Sequence, residues 1–433
     1  MNNPILLIMK QHASLEYSQH LSPTLAINES VKRIRDEGRR IFHMGFGEAP
    51  FPAPQRMINA LQAHADRKSY LPVMGLPELI EAVADHQNQH AGVDTDQYDV
   101  VIGPGSKLIL FAMQMAIPGD LLLPTPSWVS YRPQADLLQQ RVIEVGTILS
   151  DEGYKFDGQS LLESIVTSRS QGLNPTKLLV NFPNNPSGLS ISNDDLLDVA
   201  QICRDNGIVI ISDEIYGRLS FDHTYRSLAA LYPEGTLVTS GLSKHLSLGG
   251  WRLGIGMIPK NKSGLLNRFN HIASELWSSV PAPIQYAAIE AYQGHDDIER
   301  FIFDTTDIHA TVNQYIAHEL RAIGADCAIP QGGFYTWPDF SKLLSKRFGS
   351  SEDLSFHLLN EHGVATLPGS AFGEPASTLR LRLSGCDYDG GQALQQWETH
   401  KGQGSVSDMV NQIAPNVVGA LNEFRKLTES ING

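Results

Sequence analysis

The sequence predicts an α/β protein with a large, mostly parallel, seven-stranded sheet flanked by helices, together with a smaller α+β domain. The first observation is a series of seven short apolar runs, rich in β-branched residues, that end in polar or glycine-rich turns. The second is that helical patterns, such as residues 194–205, separate several of these runs. The third is that the series of apolar runs stops near residue 265, which indicates that a second domain follows. The runs cover residues 98–102, 120–123, 141–145, 177–181, 208–212, 236–239 and 253–258.

The chain is long enough for two domains. It has 433 residues, of which 42% are hydrophobic, and this is sufficient for a large core. After the strand series, helical patterns follow at residues 284–292 and 307–323, and a smaller α+β region begins at Cys327. We therefore expect an N-terminal arm and part of the small domain in residues 1–45, the large domain in 46–300 and the small domain in 301–433.

The composition predicts a soluble, cytoplasmic protein. A formal charge of −14 argues against nucleic-acid binding, which needs a basic face. Cys203, Cys327 and Cys386 form no CxxC pair, so we expect neither a disulfide framework nor a zinc site. The short apolar run at residues 4–9 lacks the flanks of a signal peptide, and no stretch approaches the length of a membrane-spanning helix.

Polar side chains follow the predicted strands at their ends. In open α/β sheets, ligands bind beyond the carboxyl ends of the strands, so these positions are where a site is expected. They are occupied by Ser106, Trp128, Asn185, Asp213 and Lys244.

The segment at residues 241–254 carries the strongest signal. It places Lys244 in a loop of small residues after a strand, eight positions before Arg252 and a glycine. It resembles the cofactor-attachment segment of class I/II aminotransferases, in the aspartate and aromatic branch, which share the fold of pyridoxal-phosphate-dependent transferases. The resemblance implies a pyridoxal 5′-phosphate Schiff base on Lys244, with Arg252 binding the phosphate. The alternative is a surface lysine in a turn.

Two further strand ends match the same family. Asp213 and Tyr216 resemble its Asp-Glu-x-Tyr motif, in which the carboxylate keeps the pyridine nitrogen protonated and the tyrosine contacts the phenolate oxygen. Asn185, in an Asn-Pro-Ser-Gly turn, implies a second contact with that oxygen and with the substrate. An Asp that caps a helix and a plain surface turn are the alternatives.

The phosphate end is predicted at the turn that contains Gly105, Ser106 and Lys107, whose free amides could bind an anion. A dinucleotide site is excluded, because Leu108 stands where a third glycine is required. Downstream, Trp128 resembles the aromatic residue that stacks on the cofactor ring and borders the substrate. Its alternative is an ordinary core tryptophan.

Two N-terminal segments extend the resemblance. Gly47 lies in a loop similar to the Gly-Glu-Pro-x-Phe loop, where the glycine amide lies near the substrate carboxylate, although Ala49 replaces the usual proline. Tyr70 matches a tyrosine that reaches the phosphate of the partner subunit. The resemblance therefore implies a homodimer with shared active sites.

The predicted strand near residue 380 contains Arg380 and Arg382, which periodicity alone cannot distinguish, because residues two apart share a face. Similarity to the family's Arg-Leu-Ser ending selects Arg382 as the partner of the substrate α-carboxylate. The resemblance covers about residues 22–384 and includes segments 332–335 and 367–373. Residues 385–412 have no counterpart in it, and we expect an insertion there, followed by a last helix at 417–427.

The function implied is transfer of an amino group between an L-amino acid and a 2-oxo acid, with Lys244 as general base and acid. A lyase, a decarboxylase or an oxidase that uses the same cofactor remains the alternative. No metal ion is expected.

Overall fold

The computed structural model describes residues 23–156, 158–261 and 263–432. The apolar run at residues 4–9 lies outside this range. The α-helices in the described part of the chain are α1 (Pro23–Asp36), α2 (Gln55–Ala63), α3 (Pro77–Ala91), α4 (Ser106–Ala116), α5 (Tyr131–Leu137), α6 (Gly158–Ser170), α7 (Asn193–Asp205), α8 (Ser263–Leu276), α9 (Ala282–Tyr292), α10 (Asp296–Ala322), α11 (Ser341–Leu344), α12 (Ser351–Glu361), α13 (Gly390–His400), α14 (Val406–Ile413) and α15 (Pro415–Asn432).

The strands follow the same order along the chain. They are β1 (Phe42–His43), β2 (Tyr98–Gly103), β3 (Asp120–Pro124), β4 (Val142–Val145), β5 (Thr147–Ser150), β6 (Gly153–Phe156), β7 (Pro175–Asn181), β8 (Val209–Asp213), β9 (Thr236–Gly241), β10 (Gly254–Pro259), β11 (Tyr335–Thr336), β12 (Val364–Ala365), β13 (Leu367–Pro368) and β14 (Leu381–Ser384).

The predicted seven-stranded sheet is confirmed, with the order β2-β10-β9-β8-β7-β3-β4. The strand at residues 253–258 is the exception to the parallel prediction, because β10 runs antiparallel to both β2 and β9. Only twelve residues separate β9 from β10, and they hold turns and a short 3₁₀ helix rather than the helical crossover that a parallel connection needs.

Helices cover both faces of this sheet. Successive side chains of a strand point to opposite sides, so neighbouring strand residues pack against different helices. Leu179 and Ile211 pack in one hydrophobic cluster with residues of α4 and α8. Leu178 and Ile210 pack in another with residues of α6 and α7. A strand buried on both faces explains the nearly continuous apolar runs of the sequence.

Strands β5 and β6 form an antiparallel hairpin. The other strands outside the large sheet form small sheets that involve the C-terminal part of the chain. One has the order β11-β14-β13, and β1 pairs in parallel with β12. The 27-residue helix α10 contributes Ile308 and Val312 to the hydrophobic cluster that these elements share with α15.

The segment at residues 385–412 contains two helices, α13 and α14. Trp397 and Val410 bury in the same cluster as α10, so both helices pack on the C-terminal core. The last helix, predicted at 417–427, extends over Pro415–Asn432. None of the helices in the described part of the chain has the length and apolar character that a membrane crossing requires.

Candidate active site

A cavity of about 400 Å³ opens at the carboxyl ends of the central strands. A larger cavity, of about 670 Å³, lies beside the β5–β6 hairpin, but no predicted site residue lines it. The structure brings most of the predicted residues to the smaller cavity. They are Gly47, Ser106, Lys107, Trp128, Asn185, Asp213, Tyr216, Lys244, Arg252 and Arg382.

Lys244 lies in the turn that follows β9. Its Nζ donates a hydrogen bond of 2.8 Å to the carbonyl oxygen of Gly47. The same nitrogen lies 5.7 Å from the ring centroid of Tyr216 and 5.4 Å from that of Phe334. The amine is therefore held at the cavity wall between two aromatic rings and one loop carbonyl, and no carboxylate of the described residues pairs with it.

Asp213 ends β8 at the base of the cavity and is 3% exposed. The hydroxyl of Tyr131 donates to its Oδ2 at 2.7 Å, and the amide of Ile215 donates to Oδ1 at 3.4 Å. Burial raises the pKa of Asp213 to about 6, although the hydrogen bond from Tyr131 acts in the opposite direction. A cation placed against this carboxylate would therefore be strongly favoured.

The register of the sheet explains why Asp213 and the Asn185 turn lie together. Strands β7 and β8 are parallel neighbours, and Asn181 pairs with Asp213 at their common end. The side chain of Asn181 donates to the carbonyl oxygen of Asp213 at 2.7 Å and accepts from the amide of Asn185 at 2.9 Å. One amide side chain thus fixes both strand ends.

Tyr216 and Tyr335 form a hydroxyl pair next to the cavity, with 2.9 Å between their oxygens. Tyr335 also restricts the size of the residue at position 47 in the opposite loop, because a Cβ there would lie 1.9 Å from the tyrosine hydroxyl oxygen. Only glycine fits at position 47. Sequence reasoning did not assign Tyr335, although it lies in segment 332–335, which was matched to the family.

Arg382 is buried, with 1% of its surface exposed. Its Nη1 donates to Asn185 Oδ1 at 3.2 Å and its Nη2 donates to the carbonyl oxygen of Gly45 at 2.6 Å. The guanidinium carbon lies 4.5 Å from the ring centroid of Tyr335, and burial lowers the pKa of the group. Nε is buried and has no hydrogen-bond partner among the residues that the structure describes, so the guanidinium still has donors for a carboxylate.

Arg380 has a different environment, although it lies only two residues away. It pairs with Asp339 at 3.3 Å and with Glu374 at 2.8 Å. It does not line the cavity. Of the two arginines, Arg382 is the one that lines the cavity.

The turn before α4 meets Arg252 at the other end of the cavity. Gly105 has φ +87°, and a Cβ there would lie 2.2 Å from Arg252 Nη2. Arg252 itself has φ +52° and donates to the carbonyl oxygen of Gly249 at 2.8 Å. The N-terminus of the 11-residue helix α4 and a guanidinium therefore face the same space, which suits a phosphate.

Lys107 and Trp128 border the cavity mouth, where Lys107 Nζ lies 5.3 Å from the indole centroid. Tyr70 lies apart from the cavity and is 92% exposed. Tyr131 also lines the cavity and hydrogen-bonds Asp213, a role that the sequence did not indicate.

The chain is similar in sequence to proteins of known family. The family model described as aminotransferase class I and II matches residues 39–390. A probable aspartate/prephenate aminotransferase from Aquifex aeolicus is 33% identical over 84% of this chain and 91% of its own length. An aspartate aminotransferase from Bacillus sp. (strain YM-2) is 31% identical over 83% of this chain and 91% of its own length.

The solved structures agree in fold. An aspartate aminotransferase from Thermus thermophilus, with maleate, superposes with a TM-score of 0.79 at 25% identity. The match covers 94% of this chain and 97% of the other.

Proposed function

Because the chain belongs to the class I and II aminotransferase family, and is a pyridoxal-phosphate-dependent aminotransferase, we propose that the cavity around Lys244 is its active site. The observation that carries this proposal is that one cavity joins the amine of Lys244, the buried carboxyl group of Asp213 and the buried guanidinium of Arg382. These three groups suit a cofactor aldehyde, a cofactor ring nitrogen and a substrate carboxylate.

The residues present fit pyridoxal phosphate. Asp213 is a buried carboxyl group with no cationic hydrogen-bond partner among the described residues, and a protonated ring nitrogen would supply one. Gly105 lets the Arg252 guanidinium approach the turn before α4, and a side chain at position 105 would displace this phosphate-binding group. Ser106 and Lys107 complete this end, Trp128 would stack on the ring, and Tyr216 and Asn185 would bind its phenolate oxygen.

When bound, the cofactor supplies a carbonyl carbon for the amino group and an electron-withdrawing ring. The protein supplies orientation and proton transfer. We assign the proton transfers at the substrate α-carbon to Lys244 Nζ, which Gly47 and two aromatic rings hold at the cavity wall. Arg382 holds the α-carboxylate, with Asn185 beside it, and so fixes which bonds of the α-carbon face the amine.

The lyase, decarboxylase and oxidase alternative is not favoured, because the matching family and the relatives named above are aminotransferases. Those relatives are named for aspartate or prephenate, and the solved neighbour contains the dicarboxylate maleate. We therefore propose L-aspartate as the amino donor to test first, with 2-oxoglutarate as the acceptor.

The test is a panel of L-amino acids, incubated with the cofactor-loaded enzyme in the presence and absence of 2-oxoglutarate. With the acceptor, we expect L-glutamate and the 2-oxo acid of the donor to form in equal amounts over many turnovers. Without it, at most one equivalent of the 2-oxo acid per active site should form. Release of ammonia or carbon dioxide without an acceptor would contradict the proposal. The Lys244→Ala variant is the control for reaction outside the site.

We also propose a homodimer with shared active sites. Tyr70 supports it, because this side chain is 92% exposed and lies outside the cavity of its own chain. The domain division at residues 46–300 and 301–433 is likewise a proposal, supported by the confinement of the large sheet to residues 98–259 and by the pairing of β1 with β12. A cytoplasmic location is supported by three cysteines that are free.

A further inference from the structure

We propose that His86, His90 and Glu299 form a binding site for a divalent transition metal ion, outside the cofactor cavity, and that the ion links helix α3 to helix α10. None of the three residues lines the cavity around Lys244. They are the one group of three potential ligands that comes together in the part of the chain described by the structure.

The geometry is that of a two-histidine, one-carboxylate site. His86 and His90 lie four residues apart on α3, so they share one face of the helix, and their ring centroids are 4.3 Å apart. Glu299 comes from the start of α10. The ligand atoms of all three residues lie within 4.8 Å of one another. Zn²⁺ binds such nitrogen and carboxylate sets, and a small contraction of the side chains would bring them to coordination distance.

Two potential ligand atoms of the cluster are buried and find no hydrogen-bond partner within the described part of the chain. They are Nδ1 of His86, whose residue is only 4% exposed, and Oε1 of Glu299. Burying a polar atom without a partner costs free energy of folding, and coordination to a metal ion would give both atoms a partner.

Arg218 already supplies positive charge to this cluster, so a metal ion would have to compete with its guanidinium. Its Nη1 donates to His90 Nδ1 at 2.7 Å, and its Nη2 contacts Glu299 Oε2. A metal ion on Glu299 Oε1 would leave the Arg218 contact with Oε2 in place, and hydrogen-bonded carboxylate ligands of this kind are usual around metals. At His90, the ion would take the place of the Arg218 Nη1 donor on Nδ1.

The cluster is accessible. A third cavity, of about 190 Å³, is lined by His90, Arg218 and Glu299, and also by His223. It gives the ion a path and leaves a coordination position for water. Leu79 and Val83 of α3 share a hydrophobic cluster with Ile298 and Ile302 of α10, so the ion would reinforce an existing contact between these helices.

The test uses cofactor-loaded protein without an oligohistidine tag, freed of metal with a chelator and titrated with Zn²⁺ by calorimetry. We expect one strong site per chain, and affinity at least about ten-fold lower in His90→Gln and in Glu299→Gln. His223→Gln is the matched control, because it removes a histidine of the same cavity outside the trio. It should keep the wild-type affinity within about two-fold.

Thermal unfolding provides a second readout. Zn²⁺ should raise the Tm of the wild type and of His223→Gln but not that of Glu299→Gln, because only bound ion stabilises the folded state. Absence of a strong site in the wild type, or unchanged affinity in both His90→Gln and Glu299→Gln, would overturn the proposal. Circular dichroism verifies that each variant is folded before titration.

Discussion

Replacing Arg382 by lysine should weaken recognition of every amino acid substrate. The side chain is buried, and it uses one N–H on Asn185 and one on Gly45. Three of its five N–H groups, including the unpartnered Nε, then remain for the α-carboxylate. Lysine keeps the positive charge but offers only one nitrogen, so it cannot contact Asn185, Gly45 and both carboxylate oxygens together.

The loss follows from the missing contacts. One hydrogen bond to a buried charged group contributes about 1.5–3 kcal/mol, and the substitution removes at least one from the carboxylate. We therefore expect kcat/KM to fall about 10- to 150-fold, since each 1.4 kcal/mol corresponds to about ten-fold. The fall should be similar for all amino donors, because the α-carboxylate is common to them.

Steady-state kinetics with several donors provides the assay, and Arg380→Lys is the matched control. Arg380 pairs with Asp339 and Glu374 and does not line the cavity, so its substitution should change kcat/KM less than about three-fold. Cofactor affinity should be unchanged in both variants. An intact kcat/KM in Arg382→Lys, or a larger loss in Arg380→Lys, would refute the assignment of the α-carboxylate.

Three further predictions concern the cofactor end and the subunit contact. Tyr131→Phe removes the 2.7 Å hydrogen bond to Asp213; cofactor affinity, measured by equilibrium dialysis, should fall about ten-fold, and an unchanged affinity would contradict this role. Burial raises the pKa of Asp213 from 3.8 to about 6, so the carboxyl group stabilises the cofactor-free fold below pH 4 and the stability is lost as pH rises through 6. Urea unfolding should show a loss of about 3 kcal/mol across this range that is missing in Asp213→Asn, and equal slopes for the two proteins would count against it. Tyr70→Ala and Lys244→Ala chains, refolded together at limiting cofactor, should regain about a quarter of wild-type activity, because half of the dimers are hybrids with one complete site; activity no greater than the sum of the separate variants would exclude shared sites.

The grouping of the candidate site residues at one cavity could be predicted because these residues lie at strand ends. Asp213 and the Asn185 turn follow two runs that became parallel neighbours, and parallel strands bring their carboxyl ends to one edge. The family motif, rather than periodicity, selected Arg382. Periodicity could not distinguish Arg382 from Arg380. In the structure, Arg380 precedes β14 and forms ion pairs with acidic side chains.

Contacts between distant parts of the chain were outside the reach of sequence patterns. Tyr131 meets Asp213 across 82 positions, and Tyr335 meets Tyr216 across 119. The family motif selected Tyr216, but nothing local distinguishes Tyr131 and Tyr335 from core aromatics. The direction of β10 was also missed. An apolar run buried on both faces looks the same whether its neighbours are parallel or antiparallel, and only the connecting segment differs.

The central claim is that Lys244 carries the cofactor, and the most direct test is to locate the covalent linkage. The cofactor-loaded protein is reduced with borohydride, digested and analysed by mass spectrometry. We predict a single phosphopyridoxyl group, on the peptide that contains Lys244 and attached to Nζ of that residue. A phosphopyridoxyl group on another lysine, or none on a protein that holds the cofactor, would contradict the account.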